Sequence, residues 1–389
     1  MPNFEPNLES ALLVRETAGN EDRDAALRLQ MVPGVGPKIF GDLIECFGSA
    51  KDALAASPSD IRRVPGVGAK LAAGLALAND YDVQPILEKC HANNIDLIER
   101  GAENYPTRLD EIIDPPAVLF SKGELKPADQ LAVAIVGTRH ATRYGLKSAE
   151  HLARGLALAG LTIVSGLARG VDAAAHRGAL AVGGRTLAVL GGGILKMYPP
   201  EHQELANKIC SGSGAVLSEA LPEQSPKAAL FPRRNRIVTG LSLGVIVVEA
   251  AGRSGALISA RLANEQGREV FAVPGRMDDR MSQGTNELIR DGATMVQCVD
   301  DVLEQLGPLP TQAIIGDGQG DEKIIRSPAE LKLNDQETLI LQLVSESATE
   351  IDWLIQRSEL PTARVLATVS VLEMRKLVRR VSGTAIVRI

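Results

Sequence analysis

From Leu131 onward, short apolar runs alternate with longer stretches whose apolar residues recur every three or four positions. The short runs are Ala132–Val136, Thr162–Ser165, Thr186–Leu190, Ala215–Ser218, Gly244–Glu249, Glu269–Val273 and Thr294–Val296. Their length and β-branched content predict strands. The intervening stretches, Lys147–Leu158, Asp172–Ala181, Glu201–Ile209, Pro232–Thr239, Leu257–Glu265 and Thr285–Asp291, predict helices. The strand around Val245–Val248 is apolar on both faces, as a central strand of a parallel sheet must be. Strands alternating with helices over this length predict an α/β fold, an extended Rossmann-like, doubly wound and mainly parallel sheet.

The flanks read differently. Residues 1–24 are polar and predict a flexible tail. Leu29 to Lys38, with Pro33-Gly34-Val35-Gly36, is echoed by Ile61 to Lys70, with Pro65-Gly66-Val67-Gly68. Each Pro-Gly-Val-Gly lies between helical patterns, which resembles a tandem helix-hairpin-helix (SAM-like) all-α domain over 25–82. Such a turn brings backbone N–H groups to a phosphate at a helix N-terminus. Gly66, Gly68 and Lys70 are the candidate contacts, because Pro37 removes one N–H from the first copy. A helical packing domain explains the same pattern, and the residues leave both readings open.

Residues 83–130 carry a helix over Val83–Asn93 and short strands near Ile95–Ile98 and Pro115–Phe120, leading into a sheet domain over 83–306. The Gly-, Pro-, Asp- and Gln-rich stretch 307–334 predicts a linker. Beyond it, Asn334 with Glu337 forms a capping box for a helix to Val344. Thr349 is placed to cap Glu350–Gln356. A third helix follows Pro361 with Val365, Leu366, Val369 and Leu372 on one face, and Leu377–Val381 and Ala385–Arg388 form a hairpin. Three helices and a hairpin over 335–389 predict a winged helix. Arg379, Arg380 and Arg388 suit DNA, but the residues favour a protein-docking wing.

Composition narrows the function. The net charge of −6 over 389 residues excludes a bulk nucleic-acid binder, so any such contact must come from a local basic patch. Aromatics at 3% argue against a platform of several stacking rings. Cys46, Cys90, Cys210 and Cys298 form no close pair, which predicts buried reduced thiols in a cytoplasmic protein. No run approaches the roughly 18 apolar residues of a membrane span. Asp172 and His176 lie one helical turn apart without a third ligand, so a structural hydrogen bond is expected and no metal. GxxxxGK[ST] and GxGxxG are both missing, so no nucleotide cofactor is expected.

Anion-binding chemistry gathers at the strand ends. Gly137-Thr138-Arg139, Ser165-Gly166, Gly191-Gly192-Gly193 with Lys196, and Arg253-Ser254-Gly255 each follow a strand. Ligands bind at that edge of an open α/β sheet. Glu249 is expected to be pinned by Arg253 or by loop N–H groups. The sharpest signal is Phe231 beside Arg233, Arg234, Asn235 and Arg236. A base can stack on the ring while guanidinium groups hold phosphates.

Taken in order, these pieces resemble the DNA-processing protein A (Smf) family. The carriers are Val136–Arg139, Ser165–Asp172 with His176, Gly191–Gly193 with Tyr198-Pro199, Ser218-Glu219, Phe231–Ile237, Glu249-Ala250 with Arg253–Gly255, Phe271–Gly275 and Gly284–Ala293. The resemblance implies a non-enzymatic binder of single-stranded DNA that protects incoming strands during natural transformation. It implies loading of the RecA recombinase and dimerisation through the Rossmann-like domain. Carried onto this chain, the pocket is Gly137, Thr138, Arg139, Ser165, Gly166, Lys196, Phe231, Arg234, Asn235 and Arg236. Two other readings remain. One is a nucleotide phosphoribohydrolase, whose PGGxGTxxE turn is matched only in part by Gly252–Ser259, with Ser259 where the catalytic Glu belongs. The other is a double-strand DNA regulator acting through the winged helix.

Overall fold

The computed structural model describes residues 21–307, 313–315 and 323–389. In chain order its first nine strands are β1 (Asp96–Glu99), β2 (Val118–Gly123), β3 (Ala132–Val136), β4 (Thr162–Ser165), β5 (Thr186–Val189), β6 (Gly214–Ser218), β7 (Gly244–Val247), β8 (Glu269–Ala272) and β9 (Thr294–Met295). The seven strands expected from Ala132 onward are present as β3 to β9. The chain divides into two compact units. One is built from Met1–Gly123, Leu190–Tyr198 and Val216–Ile237, the other from Glu124–Val189, Pro199–Ala215 and Val238–Ile389.

In the first unit a helix over residues 21–31 opens the helical part, so the expected tail to residue 24 is already helical from residue 21. Helices Pro37–Phe47 and Ala69–Ala76 follow the two Pro-Gly-Val-Gly turns. Gly34 and Gly66 take φ of +101° and +81°, where a side chain is strained. The two copies pack reciprocally. A Cβ on Gly34 would lie 3.4 Å from Leu71 of the second copy, and one on Gly66 would lie 2.8 Å from Ile39 of the first. The repeat in sequence is thus a repeat in space. β1 and β2 form an antiparallel pair, with Ile98 opposite Leu119.

In the second unit β5, β4, β3, β7, β8 and β9 lie in that order, and every pairing among them is parallel. β3, β4, β5 and β7 are buried at every position, as continuous apolar strands covered on both faces must be. Helices Arg143–Leu158 and Val171–Leu180 pack on one core with Ile135, Ile163 and Phe271. The first starts a turn before the expected Lys147. Thr142 caps it by accepting from the Gly145 N–H at 3.2 Å, so Gly145 belongs to the helix and does not break it.

The expected linker contains an antiparallel pair, Ala313–Ile315 with Lys323–Ile325. Ile325 is buried with Leu131 and Leu243, which anchors that segment. The glycine-rich stretch 316–320 lies outside the described residues. Helices Asp335–Leu343, Ile351–Ser358 and Thr362–Met374, with strands Thr349–Glu350, Val378–Arg380 and Ala385–Arg388, complete the winged helix around Leu354, Val369 and Leu372. The Asn334–Glu337 capping box is present. Two expectations there fail. Thr349 sits in a strand, where its hydroxyl accepts from the Ser345 N–H at 3.1 Å and caps nothing. Leu366 is 41% exposed, because it lies about 100° around the helix from its buried neighbour Val365.

Of the cysteines only Cys90 is buried, while Cys46 and Cys298 are exposed. Among the described residues no helix is long and apolar enough to cross a membrane.

Candidate nucleic-acid interface

The parallel sheet of the second unit grows in opposite directions from the adjacent strands β3 and β7. That reversal opens a crevice at the strands' carboxyl ends, the usual ligand position of such sheets. Gly137, Thr138 and Arg139 follow β3, while Arg253, Ser254 and Gly255 lie in the loop after β7. The two loops are tied together, since the Thr138 N–H donates to the Glu249 carbonyl at 2.8 Å. The Glu249 carboxylate is buried and accepts from the Thr142 N–H at 2.9 Å and from the Thr142 hydroxyl. It is thus held by loop donors as expected, though by Thr142, and it is a brace for the crevice.

Arg139 and Arg253 are exposed at this rim. Ser254 caps helix Gly255–Glu265, accepting from the Ala256 N–H at 3.2 Å. A Cβ on Gly252 or Gly255 would meet nothing within 4 Å, so the ground before this helix is open. Ser165 and Gly166 do not share that openness. Both are buried, and the Ser165 hydroxyl donates to the Ile135 carbonyl at 2.6 Å. Ser165 ties β4 to β3 and is a structural residue. Gly137 is likewise a packing glycine, since a Cβ there would fall 2.5 Å from Val171 Cγ2.

Asp172 accepts from the Ala168 N–H at 3.3 Å. His176 Nδ1 lies 2.6 Å from Thr186 Oγ1, whose own proton goes to the Ile163 carbonyl, so the ring donates through Nδ1. No cluster of three metal-ligating side chains exists among the described residues.

The remaining site residues lie in the first unit. Helix Leu230–Gly240 carries Phe231, Arg233, Arg234, Asn235 and Arg236, with Pro232 in its first turn, where no N–H is needed. Phe231 covers Gly191, whose Cβ would sit 2.8 Å from the ring, and meets Tyr198 edge-on at 6.0 Å between centroids. Tyr198 is exposed, as is Lys196 two positions before it. Tyr198 is a candidate contact that sequence reasoning missed as a site residue. Its signal was available, as one of only four tyrosines, two positions after Lys196.

The arginines divide their labour. Arg236 is buried, with its guanidinium between Glu219 Oε1 at 2.6 Å and Asp114 Oδ2 at 3.1 Å. Both carboxylates engage it, so it also has a structural role in this helix. Burial pushes the Asp114 carboxyl above its usual range, a stronger effect than the nearby Arg236. Arg233 donates from Nε to Glu219 Oε2 at 3.1 Å but stays half-buried at the surface. Arg234 is as buried as Arg236, at 6% exposed, and donates from Nε to Asn235 Oδ1 at 3.3 Å.

Arg233 and Arg234 border a cleft of about 380 Å³. Its lining combines residues 30–35, the approach to the first Pro-Gly-Val-Gly turn, with Leu190, Gly191, Glu219–Leu221, Gln224, Lys227, Leu230 and Ile237. In the second copy Gly66, Gly68 and Lys70 are all exposed.

A helical hairpin repeat, a doubly wound sheet with basic groups at its crevice, and a winged helix together describe a multidomain nucleic-acid-handling protein. Residues 96–307, more than half of the chain, match the family described as DNA recombination-mediator protein A. Residues 326–384 match the DprA winged helix domain, and residues 26–78 match a SAM-like helix-hairpin-helix tandem. Protein Smf of Synechocystis is 33% identical over 94% of this chain and 98% of its own length. The DNA processing protein DprA of Streptococcus pneumoniae is 46% identical over 52% of this chain and 71% of its own. The X-ray structure of DNA processing protein A from S. pneumoniae superposes with a TM-score of 0.65 at 35% identity, covering 72% of this chain and 96% of that one. The chain belongs to the DNA recombination-mediator protein A (DprA/Smf) family, a family of DNA-processing proteins.

Proposed function

We propose that this chain binds single-stranded DNA and acts as a recombination mediator, protecting incoming strands and loading RecA during natural transformation. The observation that carries this reading is the cluster on helix Leu230–Gly240. Phe231 and Tyr198 offer aromatic surface, with Arg233 and Arg234 on the helix of Phe231 and Lys196 two positions before Tyr198. The second unit supports it with exposed Arg139 and Arg253 in the loops that follow β3 and β7. Guanidinium groups suit phosphates, and a ring face suits an unpaired base. With an acidic chain overall, binding rests on these local groups.

The same reading makes the protein a cytoplasmic, non-enzymatic homodimer through its Rossmann-like part, divided into a helical domain over 25–82, a strand-binding domain over 83–306 and a winged helix over 335–389. Ser259, at the position a phosphoribohydrolase gives to its Glu, is 2% exposed inside helix Gly255–Glu265. Competition between labelled single strands and unlabelled duplex tests the reading. Duplex that displaces the strand at equal nucleotide concentration refutes it, as does steady base release from a nucleoside monophosphate.

For the winged helix we infer protein docking. Arg380 is paired with Glu373 at 3.1 Å and Arg388 with Glu330 at 2.9 Å. The exposed positions of helix Thr362–Met374 include Ala363, Leu366, Ala367 and Met374 beside Arg364, a largely apolar surface. Removing residues 308–389 should leave strand affinity intact.

A further inference from the structure

We propose that the winged helix docks an acidic segment of another protein along its third helix, Thr362–Met374. The inference rests on the docking reading of this domain and gives the partner its chemistry. Ala363, Leu366, Ala367, Ser370 and Met374 are exposed and follow one another at three- and four-residue spacings, so they share one side of the helix. The opposite side, with Val365, Thr368, Val369 and Leu372, is buried. Leu366 and Met374, the latter 72% exposed, are therefore not held by the core of the domain. From Ala363 to Met374 the strip runs about 16 Å at 1.5 Å per residue. That length suits one short helix or a few extended residues of a partner.

The charges around the strip give the partner its sign. Arg364 in the first turn, Lys376 just past the last turn and Arg379 beyond it are exposed, and none makes an ion pair among the described residues. The neighbouring cations are matched, since Arg375 lies 3.4 Å from Glu337 and Arg380 lies 3.1 Å from Glu373. Glu373 is the only carboxylate of the helix, so none is left for Arg364. A cation in the first turn also opposes the helix dipole, and the helix itself gains nothing from it. An apolar strip with unmatched cations at both ends fits leucine-like side chains flanked by aspartate or glutamate. A second copy fits poorly, because a two-fold contact sets cation against cation in either orientation. Duplex DNA fits poorly too, with Leu366 and Met374 between so few cations, and an anionic bilayer asks for a larger basic cluster.

The test uses the full chain and the fluorescence anisotropy of a labelled peptide of alternating Asp-Asp and Leu-Leu pairs, beside one with Lys-Lys in place of Asp-Asp. The acidic peptide should bind and the basic one should not. Leu366→Ser should weaken binding about tenfold, the scale of burying one leucine side chain. Arg364→Glu should weaken it at least about threefold, the scale of an exposed ion pair. Both positions are exposed, so the domain should stay folded, which the emission of the single tryptophan, Trp353 on helix Ile351–Ser358, reports in each variant. No binding of the acidic peptide, or no change in either variant, would overturn the inference and leave the single-strand function standing. A loss of self-association, duplex affinity or phosphatidylserine-vesicle binding in the two variants, without peptide binding, would give the face to a second copy, to DNA or to a bilayer and equally overturn it. Peptide binding by a chain that holds no single strand would overturn that function and leave the docking face.

Discussion

Glu219 Oε1 accepts from Arg236 Nη2 at 2.6 Å, with the side chains 13% and 5% exposed. This pair turns the most basic stretch of the chain partly inward. A guanidinium buried between two carboxylates holds helix Leu230–Gly240 in place, so that its neighbours Arg233 and Arg234 face the cleft. Removing one partner leaves the other buried and unmatched, which typically costs about 3–5 kcal/mol. Arg236→Ala should therefore lower stability by about 3 kcal/mol in urea melts. A midpoint within experimental error of wild type would show the pair to be dispensable.

Glycines after the strands separate into two kinds. A Cβ on Gly193 would lie 2.2 Å from the carbonyl oxygens of Leu221 and Pro222, while one on Gly252 meets nothing within 4 Å. Gly193→Ala should destabilise by about 1–3 kcal/mol through overpacking. Gly252→Ala should leave stability within about 0.5 kcal/mol. Equal melting of the two variants would contradict the distinction.

Burial and the nearby Asp22 and Asp24 raise the Glu99 carboxyl above its usual range, only partly offset by Arg23. A carboxyl whose folded pKa exceeds its unfolded one favours folding while protonated. That advantage is complete below the unfolded value and is lost as pH rises through the folded one. Glu99→Gln should thus be more stable than wild type at pH 7 and equal to it near pH 3. Denaturant melts at the two pH values check this, and a gain of the same size at both would refute it.

Burial pushes the Cys90 thiol up to about 11, whereas Cys46 and Cys298 are exposed. A maleimide at pH 7 should label Cys46 and Cys298 within minutes and Cys90 only after unfolding. Labelling of native Cys90 at the same rate would show that its core opens readily.

The sequence made the sheet legible because its strands are short, apolar and regularly spaced, and β3 and β4 coincide with the expected Ala132–Val136 and Thr162–Ser165. The crevice residues Arg139 and Arg253 were legible for the same reason, since they stand where strands end. The fate of individual polar groups was not. Ser165 and Arg236 read as ligand contacts in one dimension, and their internal partners, the Ile135 carbonyl and the carboxylates of Asp114 and Glu219, are distant in sequence. The hairpin's share of the cleft was hidden too, because Gln30 and Glu219 meet only once the chain folds.

Strand binding itself is best tested by fluorescence anisotropy of a labelled single strand across a salt series, comparing wild type with Arg139→Ala and Arg234→Ala. Each lost phosphate contact should weaken binding and reduce the slope of log K against log salt by about 0.7. Both variants should fall below wild type, most clearly at low salt, with shallower slopes. Affinities and slopes identical to wild type in both variants would contradict the account.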